Sequence, residues 1–208
     1  MKKILVIIII FLSSCSPSNE SKKSNDNTSN TSIESSSEIK KIVVGNKDAR
    51  ITIIIFESLT CSHCANFHKD VYPHLKEEYI DTGLAKIEFR HFPLDIAAFN
   101  ASKISQCKND GSSKILDSLI LNQQRWVKGT TEEEINDYLK TFLVEEGIDI
   151  DFNRCIEDKK IEDFILNDRI DGVKKFNVNA TPTIIINNEK FEKSLNYKNL
   201  KKALKKLI

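Results

Sequence analysis

The sequence predicts an α/β fold, and three observations predict it. An apolar, β-branched run, Ile51–Phe56, and an alternating one, Ala85–Phe89, flank a segment of helical periodicity. About eighty residues without a convincing strand follow, divided by Gly, Asn and Asp into helix-length pieces. A last apolar run, Thr183–Ile186, then leads into a tight turn. A β-α-β unit implies parallel strands with a right-handed crossover, and the chain as a whole reads β-β-α-β, a helical block, then β-β-α.

Each element has its own justification. Ile39–Gly45 reads as a short edge strand. Ile51–Phe56 is apolar except for Thr52, as befits a strand covered on both faces. Beyond Cys61-Ser62-His63-Cys64, residues Cys64, Phe67 or His68, Val71, Leu75 and Tyr79 recur at helical spacing. Pro73 has no N–H to give, so it either kinks this helix or starts a new segment. Gly83 ends it, and Ala85–Phe89 alternates before Arg90-His91-Phe92-Pro93. Helices are expected over Ala97–Lys108, Ser113–Gln124, Glu132–Glu146 and Asp151–Val173. Thr131 and Glu134 have the capping-box spacing; Asp151 is a simpler cap, with Arg154 where the reciprocal Glu would stand. After Thr183–Ile186, Asn187-Asn188 turns the chain toward a return strand starting at Lys190–Phe191. A closing helix runs from about Tyr197, with Leu200, Leu204 and Leu207 opposite a solvated lysine face.

Not all 208 residues belong to this domain. Lys2 and Lys3 precede Ile4–Leu12, nine unbroken apolar residues, too short for a stable membrane span and shaped like a secretory signal. Leu12-Ser13-Ser14-Cys15 begins where that run stops and resembles the bacterial lipobox, whose cysteine becomes the acylated first residue. An ordinary signal with an incidental Cys15, or an uncleaved anchor, are the other readings. From Ser16 to Glu38, fifteen of 23 residues are Ser, Asn or Thr, so the stretch buries too little apolar surface to order itself and reads as a tether. The expected domains are a lipoprotein signal at 1–14, lipidated Cys15 with its tether at 15–38, and a globular domain at 39–208.

The formal charge is +1, or −1 without the signal lysines, leaving no basic field for phosphates, and nucleic-acid binding is not expected. Exported chains sit where disulfides persist. Setting Cys15 aside, Cys61, Cys64, Cys107 and Cys155 allow three pairings, of which Cys61–Cys64 with Cys107–Cys155 is the economical one. The second bridge would close a loop worth about 4 kcal/mol in chain entropy.

The order of elements is that of a thioredoxin fold with an inserted all-helical subdomain, about 96–173, between the central βαβ and the C-terminal ββα. Three stretches carry a resemblance to the DsbA-like thiol:disulfide oxidoreductases, extending from about Ile39 to Ile208. They are Phe56 before Cys61-Ser62-His63-Cys64, Arg90-His91-Phe92-Pro93-Leu94, and Val178-Asn179-Ala180-Thr181-Pro182-Thr183. A Cys-X-X-Cys pair alone is weakly specific; joined to a distant Thr-Pro-Thr and a wholly helical insert it is specific.

Cys61 falls at the first turn of a helix, where unpaired N–H groups and the helix dipole favour a thiolate. His63, charged or donating, lowers the Cys61 pKa further. Cys64 is one turn on, within disulfide reach. Cys61 is thus the expected nucleophile and Cys64 the buried resolving thiol, and a low-pKa Cys61 makes the disulfide form an oxidant. The resemblance implies a cis Thr181–Pro182 peptide beside the cysteines, with the Thr181 backbone free for an extended substrate; a proline that merely starts a strand is the plainer alternative. It also implies a buried acid six residues before Cys61, where Ile55 stands. Glu57, on the same strand face, is either its substitute or a solvated loop residue.

His68, His74 and His91 lack metal-ligand spacing, so surface or core-edge roles are expected for the first two and ordering of the following loop for His91. A zinc site of Cys61, Cys64, Cys107 and Cys155 is the non-redox alternative, though it has only one close pair. Trp126, Phe142, Phe152 and Phe164 are expected in the core, with Trp126 beside Arg125 also a candidate groove rim. The resemblance implies a monomeric oxidase without a cofactor, acting on exported proteins with thiols and re-oxidised by a membrane-bound redox partner. Its expected place is the periplasm or cell surface, held to a membrane through lipid on Cys15. A disulfide isomerase or reductase of the same fold is the alternative, since Thr181 is shared with isomerase-like members. A tether rather than a folded dimerisation region before the domain favours the oxidase. A non-enzymatic envelope lipoprotein is the third reading, against which the intact cysteine pair argues.

Overall fold

The computed structural model describes residues 38–208; the predicted signal, Cys15 and the tether up to residue 37 lie outside the described residues. Five strands, β1 (Ile42–Gly45), β2 (Ile51–Glu57), β3 (Ala85–His91), β4 (Thr183–Ile186) and β5 (Glu189–Lys190), form one sheet in the order β1-β3-β2-β4-β5. β2 and β3 are parallel and the other neighbours antiparallel. α1 (Ser62–Asp70), α2 (Tyr72–Leu75) and a π-helical turn over Lys76–Ile80 make the crossover from β2 to β3. The helical block is α3 (Ile96–Gln106), α4 (Lys114–Leu121), α5 (Gln123–Trp126), α6 (Glu132–Glu145), α7 (Phe152–Glu157) and α8 (Lys159–Phe176); α9 (Tyr197–Leu204) closes the chain. No helix among the described residues is long and apolar enough to cross a membrane.

Alternation along β2 sorts the core. Ile53 and Ile55 join the main cluster with Leu75, Leu116, Trp126 and Leu200, whereas Ile54 and Phe56 join a smaller one with Phe92, Val178 and Ile185. Full burial of each such side chain contributes about 1.5–3 kcal/mol, which is why this all-apolar strand takes the middle of the sheet. α8 closes on the second face at Gly172, where an added Cβ would come within 2.9 Å of the Phe56 ring.

Several boundaries differ from the sequence reading, each for a local reason. β1 begins at Ile42 rather than Ile39. Pro73 lies in the first turn of α2, after the break at Val71, and so starts a new segment instead of kinking α1. The single helix expected over Asp151–Val173 is two. Asp158 is extended (ψ 107°) and its carboxylate accepts from the N–H groups of Lys160 and Ile161 at 2.9 and 3.2 Å, a cap that restarts the helix as α8. The helix expected over Ser113–Gln124 ends at Leu121, where Asn122 and Trp126 side chains donate to the Ser118 and Leu119 carbonyls, both at 2.8 Å. The Thr131–Glu134 capping box forms on α6. Cys107 and Cys155 are joined by a disulfide with Cα atoms 5.4 Å apart, tying the end of α3 to α7.

Candidate active site

Strand register brings three distant stretches of sequence to one end of the sheet. Antiparallel pairing sets Phe56 opposite Thr183, so Pro182 and Thr181 come alongside the residues that follow Phe56. Parallel pairing sets Glu57 beside His91, and the Phe92 N–H donates to the Glu57 carbonyl at 2.7 Å. Cys61 is the N-cap residue of α1, its thiol 3.4 Å from the Thr181 carbonyl oxygen, and the Thr181–Pro182 peptide is cis.

The helical block holds the loop between Glu57 and Cys61. Gln123 donates from Nε2 to the carbonyls of Leu59 and Cys61 at 2.8 and 3.1 Å. Thr60 donates to Asp95 at 2.7 Å, and the Leu94 N–H donates to Ser58 Oγ at 3.3 Å. Neither Gln123 nor Asp95 was singled out from sequence. Asp95 carried a signal, as a cap one residue before α3, whose Ala98 N–H it accepts at 2.7 Å. Gln123 carried none.

The two thiols are driven in opposite directions. Cys61 is half-buried, and its pKa falls to about 5. The largest cause is the hydrogen bond from the Cys64 thiol; burial opposes it, and Thr181 and the N–H groups of Cys64 and His63 add to it. His63 thus acts through its backbone, while its exposed side chain lines a neighbouring groove. Cys64 is fully buried, and burial first, then the hydrogen bond to Cys61 and the Glu57 charge, push its pKa far up. The groove beside Cys61 has a volume of about 450 Å³ and is also lined by Phe67, Val71, Pro182 and Leu195.

A thioredoxin family profile matches residues 37–206. The chain belongs to the thioredoxin family. Within that family it is DsbA-like: the crystal structure of Wolbachia pipientis alpha-DsbA1 is 31% identical, with a TM-score of 0.71, over 80% of this chain and 90% of that one. A putative protein-disulfide oxidoreductase of Rickettsia bellii is 30% identical over 70% of this chain. The match spans 56% of that relative's length, little more than half. Disulfide bond formation protein D of Bacillus subtilis is 25% identical over 85% of this chain and 82% of that protein.

The histidines and aromatics of this DsbA-like domain bring corrections. Glu57 is not a solvated loop residue: it ends β2 at 1% exposure, and its Oε2 lies 2.7 Å from His68 Nε2. His68, expected at the surface or core edge, is buried on α1, stacked on Phe89, with Nδ1 3.5 Å from Asp117 of α4. Burial works against a charged His68, but Glu57 and Asp117 outweigh it and raise the pKa to about 9. Helical spacing placed this ring on the inner face; its ion partners, from β2 and α4, made burial of a charge tolerable. His91 is also buried, its ring without a hydrogen-bond partner, and burial takes its pKa down to about 4. Its backbone N–H donates to Asp168 of α8 at 3.1 Å, so the main chain, not the ring, is anchored there. His74 is exposed and packs on Tyr197. Trp126 is fully buried and cannot rim a groove. Among the described residues no three His, Cys, Asp or Glu side chains are grouped to hold a metal ion.

Proposed function

We propose that this chain is a thiol:disulfide oxidoreductase that introduces disulfides into exported proteins. The observation that carries the reading is the opposed state of two thiols one helical turn apart, an accessible Cys61 near pKa 5 over a buried, high-pKa Cys64. In the oxidised form Cys61 and Cys64 share a disulfide. A substrate thiolate attacks Cys61 Sγ; the S–S bond breaks, and Cys64 departs with the electron pair and takes up a proton, because its buried thiolate is costly. A second substrate thiolate attacks the substrate sulfur of the mixed disulfide, and Cys61 leaves as a stabilised thiolate. The substrate dithiol loses two electrons, and the cysteine pair gains them. Thr181 and Pro182 border the reacting sulfur and would steer the substrate backbone.

Residue roles follow: Cys61 as nucleophile and leaving group, Cys64 as resolving thiol, His63 as tuning residue, and Cys107–Cys155 as a structural bridge. The N-terminal pattern supports export and membrane anchoring through lipid on Cys15, with 15–38 as the tether, and re-oxidation by a membrane-bound redox partner. A monomer acting on exported thiol proteins completes the reading.

Titration of Cys61–Cys64 against a glutathione buffer tests the direction. A potential near about −120 mV supports the oxidant, and one near about −270 mV replaces it with a reductase. Cys64→Ser should trap mixed disulfides at Cys61. Failure to trap any would sink thiol exchange altogether, and high activity on scrambled disulfides with weak oxidation would turn the reading to an isomerase.

A further inference from the structure

We infer that the groove beside Cys61 selects substrate segments carrying a lysine or arginine about four residues from the reacting cysteine, with Asp70 as the selecting residue. This rests on the thiol-exchange reading and adds the chemistry of its substrate.

The groove follows one face of α1. His63, Asn66, Phe67 and Asp70, at helical positions i, i+3, i+4 and i+7, line it, while Pro182 and Leu195 complete an apolar floor. α1 therefore acts as a ruler. From the Cys61 cap to Asp70, at 1.5 Å per residue, is about 13 Å. An extended peptide advances about 3.3 Å per residue, so about four substrate residues separate a thiol at Cys61 from a side chain at Asp70.

Charge gives the ruler its meaning. Asp70 is the last residue of α1, where the helix dipole is negative and a carboxylate is disfavoured. It is exposed, and among the described residues it makes no side-chain hydrogen bond or ion pair, so nothing in the fold accounts for an acid there. Lys69, one residue back, does not line the groove, and Asp70 is its one carboxylate. The distal end therefore presents a fixed negative charge beside an apolar floor. A peptide ammonium or guanidinium complements it, and a glutamate is repelled.

The test uses the oxidised full chain and reduced two-cysteine peptides that differ only in a Lys, Gln or Glu four residues to either side of the first cysteine. Dithiothreitol, an uncharged dithiol, serves as comparator. On one of the two sides, Lys should raise kcat/KM over Gln roughly two- to fivefold at low salt and Glu should lower it, as for an exposed ion pair. The difference should fade at high salt. Asp70→Asn should bring the Lys-to-Gln ratio to one, and Asp70→Lys should invert it. Both substitutions relieve the helix dipole, so folding should be kept and the thermal midpoint should rise slightly. Equal rates for all three peptides, or a preference that survives in Asp70→Asn, overturn the inference while dithiothreitol and peptide oxidation leave thiol exchange standing. No reaction with peptides or dithiothreitol removes the thiol-exchange reading itself, and the inference falls with it.

Discussion

Raising the pH from about 6.5 to about 9.5 should weaken the fold, because His68 is held charged inside it. The ring is 3% exposed, with Nε2 2.7 Å from Glu57 Oε2 and Nδ1 3.5 Å from Asp117. These two carboxylates lift its pKa from 6.5 to about 9 against the opposing effect of burial. A histidine whose folded pKa is raised contributes stability that is complete below the unfolded value and is lost as pH rises through the folded one. At 1.36 kcal/mol per pH unit the loss is about 3 kcal/mol, a large share of the 5–15 kcal/mol that holds a typical domain together. Cys61, lowered to about 5 in the fold, and Cys64, pushed far up, titrate near this window only when unfolded and so carry linkage of their own, and the measurement belongs in a Cys61→Ser/Cys64→Ser background. His91, near 4, and Asp168, raised by burial to about 6, act below the window. Urea unfolding followed by circular dichroism should show midpoints falling with pH at constant slope. Glu57→Gln/His68→Gln on that background, which leaves a neutral hydrogen-bonding pair, should be flat across the window. A loss under about 1 kcal/mol, or an equal loss in the paired variant, would refute a charge held on His68 by these carboxylates.

Three other perturbations check neighbouring parts of the site. Alkylation of Cys61 should rise with pH through a midpoint near 5, since the thiolate reacts; in Cys64→Ala the midpoint should move up, and an unmoved midpoint would show that the Cys64 hydrogen bond is not its main cause. Gln123→Ala should lower unfolding stability by about 1–2 kcal/mol and shift the Cys61 alkylation midpoint, because the carbonyls of Leu59 and Cys61 lose their donor. An unchanged midpoint would mean that the loop holds itself. Cys107→Ala/Cys155→Ala should cost about 4 kcal/mol, as the bridge joins residues 48 apart; a cost under about 1 kcal/mol would show that packing of α3 on α7 already restrains the unfolded chain.

Most of the strand plan was legible because it rests on local patterns. β2 reads from an apolar run, the Asn187-Asn188 turn from residues that tolerate the positive φ they adopt (46° and 72°), and the α6 start from a capping box. The breaks at Asn122 and Asp158 were not legible. Apolar spacing continues across both, and the outcome depends on a side chain winning backbone groups from the helix. Glu57 shows the limit most clearly. Strand alternation put it on the face of Ile55, toward α1, but a carboxylate there is buried or solvated according to whether a cation meets it. That cation, His68, lies eleven residues on, and its second partner, Asp117, comes from α4.

By itself the sequence determined the thiol pair at a helix start and the β-β-α-β, helical, β-β-α order, since spacing and side-chain chemistry are written along the chain; the proline beside the pair came from the family resemblance. Only the tertiary structure decided that Cys61 and Cys64 titrate in opposite directions, that Glu57 and His68 form a buried ion pair, and that Gln123 holds the active-site loop. Burial and electrostatic fields are set by neighbours in space, and those neighbours come from β2, β4 and the helical block at once.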